Sequence, residues 1–340
     1  MAKNTKPKSI NALMMYLRNE KNIQIKGSSQ KRKLMNMGYY HGYKGYRYIG
    51  KQSNKVTYTD FDELSAVYDF DAKLKALFYP NVMFIETALK NYVLEVIVSE
   101  TNSSNFADVY NKVLDNHKMY STVGKTFPDD KARQRAEDKF KKVLKKRLDL
   151  RTRINNIQAK AYGNGNKIAN HYLSKDNTLP IWGIFELLTL GEFGTFVSCI
   201  NEQSRRLISN KLGIRRSDDA NAMLTQKLIF ATKDLRNAIA HNDVIFDTRF
   251  KTGNIDKQIG NTIKNSTGIS NVRFETITDY LVIIIYQLKL LGVTKTELRK
   301  TINEFEELVE KLRKSIPTNI FVQIIHTDHS SKIERLKKFI

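Results

Sequence analysis

The stretch DFDELSAVYDFDAKLKALFYP, residues 60–80, and its continuation NVMFIETALKNYVLEVIVSE, residues 81–100, decide the fold class. Asp60 followed by Glu63 has the form of a capping box, in which side chains satisfy backbone N–H groups that the first turn of a helix leaves without partners. Phe61, Leu64, Val67, Tyr68, Leu74 and Leu77 then recur at helical spacing. Pro80 lacks the amide proton that a helix interior uses and interrupts the run. Val82, Ile85, Leu89, Val93 and Val96 resume it to about Glu100, so the two runs read as one kinked rod. A rod of this kind must bury its apolar stripe against other helices.

Outward from this rod the helical signal continues. Ser9 is placed as the N-cap of a first helix through Ile10, Leu13, Met14 and Leu17. A second helical piece from Ser28 ends at Gly38. The following Tyr39 to Tyr48, dense in aromatic residues and glycine, reads as loop or short strand, and Tyr46–Ile49 and Lys55–Thr59 flank turn residues as a small hairpin would. Residues 131–153 form a basic helix with a narrow apolar stripe, ending near 163–166 in a loop whose glycines follow no strand and so suggest no phosphate-binding turn. Leu179-Pro-Ile-Trp182 introduces an apolar helix through Phe185, Leu188 and Leu190, broken by Gly191 and Gly194. Further helices are expected over about 218–241, 275–291, 296–316 and 330–340. The fold class is all α, a helical bundle with a small N-terminal loop or hairpin region. Residues 1–60 form the N-terminal part, 61–250 a helical domain with the basic helix inserted, and 251–340 a C-terminal helical extension.

The chain has 340 residues, 41% hydrophobic and 27% charged, enough for two or three packed units of a globular protein. Lys and Arg outnumber Asp and Glu by 57 to 35, a net charge of +22 with a pI near 9.8, so the first expected partner is a polyanion, nucleic acid above all. No lipidation signal or basic amphipathic anchor supports a membrane partner. The greasiest stretch, Leu281 to Tyr286, is too short to span a bilayer and reads as a buried helix. The basic start runs into an amphipathic pattern and not an apolar signal core, and the single cysteine, Cys199, excludes an intrachain disulfide. Both fit a cytoplasmic protein.

The residues suited to chemistry are Arg236, Asn237 and His241 in Leu235-Arg-Asn-Ala-Ile-Ala-His-Asn242. On a regular helix Asn237 and His241 share a face, so Asn237 is placed to orient the imidazole. Arg236, five residues before His241, lies about 140° around the helix from it. The motif therefore straddles a helix end or works across a subunit interface. RNA cleavage without a metal needs a base for the 2′-hydroxyl, an acid for the leaving 5′-oxygen and a cation for the pentacoordinate phosphate. Histidine can fill either proton role and arginine the cationic one. One histidine cannot readily do both proton jobs at once, whereas a homodimer supplies two. The spacing alone has a plain alternative, a surface arginine and a histidine capping a helix end. No cluster of carboxylates stands at ligand spacing, and His326 and His329 lack Cys or acidic companions, so no metal and no cofactor is expected.

Five segments in order, Gly38-Tyr-Tyr-His-Gly-Tyr-Lys-Gly-Tyr46, Tyr68-Asp-Phe-Asp-Ala-Lys-Leu-Lys75, Phe84-Ile-Glu-Thr-Ala-Leu-Lys-Asn91, Leu179-Pro-Ile-Trp182 and Leu235 to Asn242, make the chain resemble the abortive infection (Abi) family of phage-defence proteins, whose AbiD and AbiF type members carry a HEPN ribonuclease domain. The resemblance implies a metal-independent endoribonuclease leaving a cyclic phosphate, with Arg236 and His241 matching the catalytic pair and Asn237 its polar neighbour. Glu86 and Asn242 are candidates for supporting roles. Glu86 falls on a helix that packs against the motif helix in HEPN folds, although a structural pair with Lys90 explains it equally well. Resemblance to the AbiF branch implies restraint by a small structured noncoding RNA; a protein antitoxin is the other form of control.

Two regions are candidates for holding RNA. Tyr39, Tyr40, His41, Tyr43, Lys44 and Arg47 combine aromatic faces with cations, as unpaired bases require, or else pack a small core. His41 stands where the family pattern commonly has arginine. Lys139, Lys142, Lys145, Lys146 and Arg147 on the basic helix suit an RNA backbone, against the ordinary reading of a solvated charged face. A non-catalytic RNA-binding protein using the same surface is the alternative function.

Overall fold

Ser9 accepts a hydrogen bond from Ala12 N–H and starts α1 (Ile10–Lys21), as the sequence predicts. The computed structural model describes residues 8–340, with the side chains of Tyr40 and His41 outside the described residues. α2 (Gly27–Met37) ends on Gly38, whose φ of 71° is the left-handed conformation that glycine adopts at no steric cost. Tyr39–Lys44, expected as loop or strand, instead form a π-helical turn. Gly42 permits it: a Cβ there would stand 2.8 Å from Met37 Cβ. The expected hairpin is reduced to one antiparallel bridge, Tyr48 with Lys55, and the described residues contain no strand. Two backbone bonds flank that bridge, from Ile49 N–H to the Asn54 carbonyl and from Val56 N–H to the Arg47 carbonyl, while Tyr58 Oη donates to the Tyr46 carbonyl and Arg249 to those of Gly45 and Tyr48.

α3 (Phe61–Thr101) is continuous through Pro80. Asn81 Nδ2 donates to the Leu77 carbonyl at 2.8 Å, an extra bond in the turn where proline removes a ladder donor. By compactness the chain forms two units. Among the described residues, one contains 8–82, 234–255 and 263–340, the other 83–233 and 256–262.

The second unit holds the rest of α3, α4 (Phe106–Lys112), a short 3-10 turn (Asn116–Tyr120), α5 (Asp130–Gly163), α6 (Lys167–Leu173), α7 (Ile181–Leu187), α8 (Leu190–Cys199) and α9 (Glu202–Lys211). The apolar helix after Trp182 breaks at Leu188–Thr189, where Thr189 and Glu192 form a capping box. Gly191 and Gly194 lie inside α8, contrary to the expected break. A Cβ on Gly194 would stand 2.9 Å from Phe230 Cζ, so this glycine serves close packing. α10 (Leu224–Ala240) starts later than expected because Asp219 Oδ1 accepts from Met223 and Leu224 N–H and fixes the turn before it.

α11 (Lys257–Thr267) leads into the C-terminal helices α12 (Ile277–Leu290), α13 (Lys295–Ser315), α14 (Thr318–Ile325) and α15 (His329–Phe339). α12 is buried along Ile277 to Leu288 and forms the first unit's core with α13 and α15, as its run of apolar residues predicts. Phe78 of α3 stacks on Phe305 of α13 at 6.1 Å. No described helix is long and apolar enough to cross a membrane.

Candidate active site

Leu235, Ala238 and Ile239 are buried and anchor the last turns of α10, which leaves Arg236 and Asn237 half-buried and His241 exposed just past the helix end. His241 N–H donates to the Asn237 carbonyl at 2.9 Å. Asn242 N–H then reaches the Ile239 carbonyl at 3.1 Å and Asp243 N–H the Ala238 carbonyl at 2.8 Å. This is the Schellman pairing, with Asn242 as the left-handed residue at φ 57°. The motif thus straddles a helix end, with His241 at the C-cap. Since α10 is regular through Ala240, the spacing sets Arg236 and His241 of one chain on different sides of the helix axis.

Buried polar groups hold this turn in place. Lys75 Nζ donates to Asn242 Oδ1 at 2.9 Å and pairs with Asp71, one turn back on α3, also at 2.9 Å. Asp71 is fully buried and accepts from Tyr46 Oη at 2.7 Å and from the backbone N–H groups of Ile245 and Phe246, each at 2.8 Å. Two residues further, Asp247 accepts from Gly50 N–H at 2.7 Å and pairs with Arg249. Asp71 and Lys75 lie in the segment Tyr68–Lys75 that carries the family resemblance, but no role for either was read from the sequence. The available signal was an acid on the apolar stripe of Val67, Phe70, Leu74 and Phe78, where an unpartnered carboxylate is costly.

A cleft of about 470 Å³ opens beside the turn. Lys44, Arg47, Tyr48 and Gln52 from one stretch of chain and Asp243, Val244, Arg249 and Phe250 from another line it. Two of the predicted RNA-contacting residues, Lys44 and Arg47, are therefore in the same cleft as the residues that follow His241. Tyr43 is not available there: it is buried, stacks on Tyr39 at 5.8 Å, and burial followed by the neighbouring Tyr16 pushes its phenol up to about 12. Tyr39 is half-buried, with the Lys44 ammonium 5.2 Å from its ring centre, and its phenol is raised by burial and by Tyr16. Tyr40 and His41, also predicted to contact RNA, have side chains outside the described residues.

In the second unit, buried Glu86 pairs with Lys90 at 3.1 Å, and Lys90 also donates to the Leu188 carbonyl. On α5 the predicted cations divide. Lys139, Lys142 and Lys145 are exposed, Lys139 lying 4.3 Å over the Tyr120 ring and Lys145 pairing with Asp149 at 2.6 Å. Arg147 turns inward, donating to the Tyr110 carbonyl at 2.7 Å with its guanidinium 3.7 Å over the Tyr110 ring. Lys146 is half-buried, and burial lowers its ammonium below the usual lysine range. Cys199 is buried and its thiol is pushed up by that burial. Among the described residues no group of three or more His, Cys, Asp or Glu is arranged to hold a metal ion.

A family model described as Abi-like protein matches residues 32–247, more than half of the chain. The matched span includes the π-helical turn, Asp71, Lys75, Glu86, the basic helix and the whole turn through Asp247. No curated protein and no solved structure matches the chain.

Proposed function

Because the chain belongs to the Abi-like protein family, which points to phage defence by abortive infection, we propose that it is a metal-independent endoribonuclease of the HEPN type that cuts RNA with Arg236 and His241. The observation that carries this reading is the exposed imidazole at the C-cap of α10, on a turn tied through Asn242, Lys75 and Asp71 and next to a cleft lined by Lys44 and Arg47. A positioned general acid or base needs such fixed geometry with an open approach for substrate.

In the proposed reaction a base takes the proton of a 2′-hydroxyl, whose oxygen attacks the adjacent phosphorus. The bond from phosphorus to the 5′-oxygen breaks, and that oxygen takes a proton from an acid. The products are a 2′,3′-cyclic phosphate and a 5′-hydroxyl. His241 supplies one of these proton transfers and the His241 of a second copy the other, so the active species is a homodimer. Arg236 stabilises the extra negative charge on the pentacoordinate phosphate. Asn237, one helical turn before His241, orients the ring. The exposed lysines of α5 hold the RNA backbone, and a small noncoding RNA bound on the same surface restrains the enzyme in the cytoplasm until infection.

The test is cleavage of end-labelled RNA in excess chelator by the wild type and by His241→Ala. The reading predicts cyclic-phosphate ends from the wild type alone. Cleavage that disappears in chelator, or that survives in the variant, contradicts it.

A further inference from the structure

The cleft beyond His241 has a chemical make-up that general RNA binding does not require. Resting on the nuclease reading above, we propose that it is a subsite for one unpaired nucleotide next to the cut phosphate, and that Asp243 makes it select a base with a hydrogen-bond-donating edge, guanine above all.

Three observations lead there. The volume, about 470 Å³, falls in the range of roughly 300–1,000 Å³ that small-molecule sites occupy. The two stretches that line it are fixed to each other by buried or half-buried polar bonds. Arg249 donates to the Gly45 and Tyr48 carbonyls, Asp247 accepts from Gly50 N–H, and Asp71 takes both the Tyr46 hydroxyl and the N–H groups of Ile245 and Phe246. A cleft held in this way keeps its shape before ligand arrives, which lowers the ordering cost of binding. The Arg249 guanidinium already lies 4.0 Å from the Tyr48 ring centre, a cation–ring contact on which an unpaired base stacks.

The distribution of charge gives the ligand its orientation. Lys44, Arg47 and the exposed Asp243 all line the cleft, two cations and one carboxylate. A carboxylate repels phosphate, so the nucleotide's phosphate belongs with the two cations and its base with Asp243. A carboxylate accepts hydrogen bonds and donates none. Guanine offers N1–H and the N2 amino group side by side, which match the two carboxylate oxygens; uracil offers a single N–H between carbonyls. Asp243 N–H is bonded to the Ala238 carbonyl, two residues past His241 in the same turn, so the selected base adjoins the reacting phosphate.

The experiment maps cut positions by sequencing the new 5′-hydroxyl ends from an unstructured RNA pool of random sequence, for wild type, Asp243→Asn and Asp243→Ala. The expected result is about tenfold enrichment of guanine at one position beside the cut in the wild type, the scale of one good bidentate contact, and its loss in both variants while cutting continues. Equal use of the four bases by the wild type, or an enrichment that Asp243→Ala retains, overturns the proposal. In parallel, guanosine and uridine monophosphates are titrated into the wild type and Asp243→Ala, followed by NMR of the tyrosine rings. Tighter binding of the guanosine nucleotide that depends on Asp243 supports the subsite even if no RNA is cut, an outcome that would sink the nuclease reading alone. Equal binding of the two nucleotides overturns the subsite whatever the cleavage result.

Discussion

The turn after His241 and the helix α5 both carry polar groups, in opposite ways. Behind the turn the buried polar groups are matched: Asp71 takes three neutral donors and Lys75, and Lys75 passes on to Asn242. Along α5 the lysines at 139, 142 and 145 stand in solvent, and the one ion pair among them, with Asp149, is exposed at both ends. The first arrangement fixes atoms to fractions of an ångström and suits chemistry. The second supplies long-range attraction that tolerates substitution and suits holding a polyanion. A site is therefore better sought where buried polar groups converge on an exposed one than where charge is densest.

The comparison is broken most easily at Asp71. Asp71→Ala leaves the Tyr46 hydroxyl and two backbone N–H groups without their acceptor in a buried place and leaves the half-buried Lys75 only Asn242, and removal of one member of such a set costs roughly 3–5 kcal/mol. Urea denaturation should show a fall of that size, and a change under 1 kcal/mol would mean that the network does not hold the turn.

The next effect lies outside both regions, in the C-terminal helices. His329 packs against Phe305 at 5.8 Å, shares a hydrogen bond with Thr278 Oγ1 at 3.0 Å, and faces Glu306, Asp328 and Lys332. Burial pushes its imidazole down to about 4. The folded value lies below that of the unfolded chain, about 6.5, so the unfolded state holds more protons between the two and stability falls as pH drops through that window. The loss attributable to His329 by pH 5 is about 2 kcal/mol, and His329→Gln should flatten the slope of stability between pH 7 and 5. An unchanged slope would show that the ring is charged in the folded chain.

Asn242 separates backbone from side chain. Asn242→Ala places an ordinary residue at φ 57° and should cost about 1–2 kcal/mol. Asn242→Gly relieves that strain while still losing the bond from Lys75. If the two variants are equally stable, the left-handed turn is not what Asn242 provides. The smallest stability effect is expected on α5, where replacing Lys139, Lys142 and Lys145 by Gln should change it by no more than about 0.5 kcal/mol. The same variant should lower the slope of log affinity for RNA against log salt by roughly 2, at about 0.7 for each phosphate that is no longer neutralised.

The helices were legible where caps and apolar spacing coincide, as at Ser9 with α1 and in the rod from Phe61. They were not where a polar residue occupies a buried position. α9 went unread because Arg205 lies on its inner face and donates to the Ile200 and Ala222 carbonyls, a position that periodicity assigns to solvent. The π-helical turn was hidden because its glycines and tyrosines also describe a loop, and only the approach of Gly42 to Met37 explains it. At the site, the pair Arg236 and His241 stood out by residue type and spacing. Asp71 did not, because its partners Ile245 and Phe246 lie 174 and 175 residues away in sequence. Lys146 and Arg147 could not be told from their exposed neighbours, since a run of cations does not reveal which of them turn inward.

The most direct test of the division between a fixed catalytic turn and a charged holding surface measures cleavage and binding on one RNA, for His241→Ala and for the variant with Lys139, Lys142 and Lys145 all replaced by Gln. The account predicts that the histidine variant binds like the wild type and does not cut, while the lysine variant binds more weakly and cuts at the wild-type rate once RNA is saturating. Cutting by the histidine variant at the wild-type rate, or loss of cutting by the lysine variant at saturation, would contradict it.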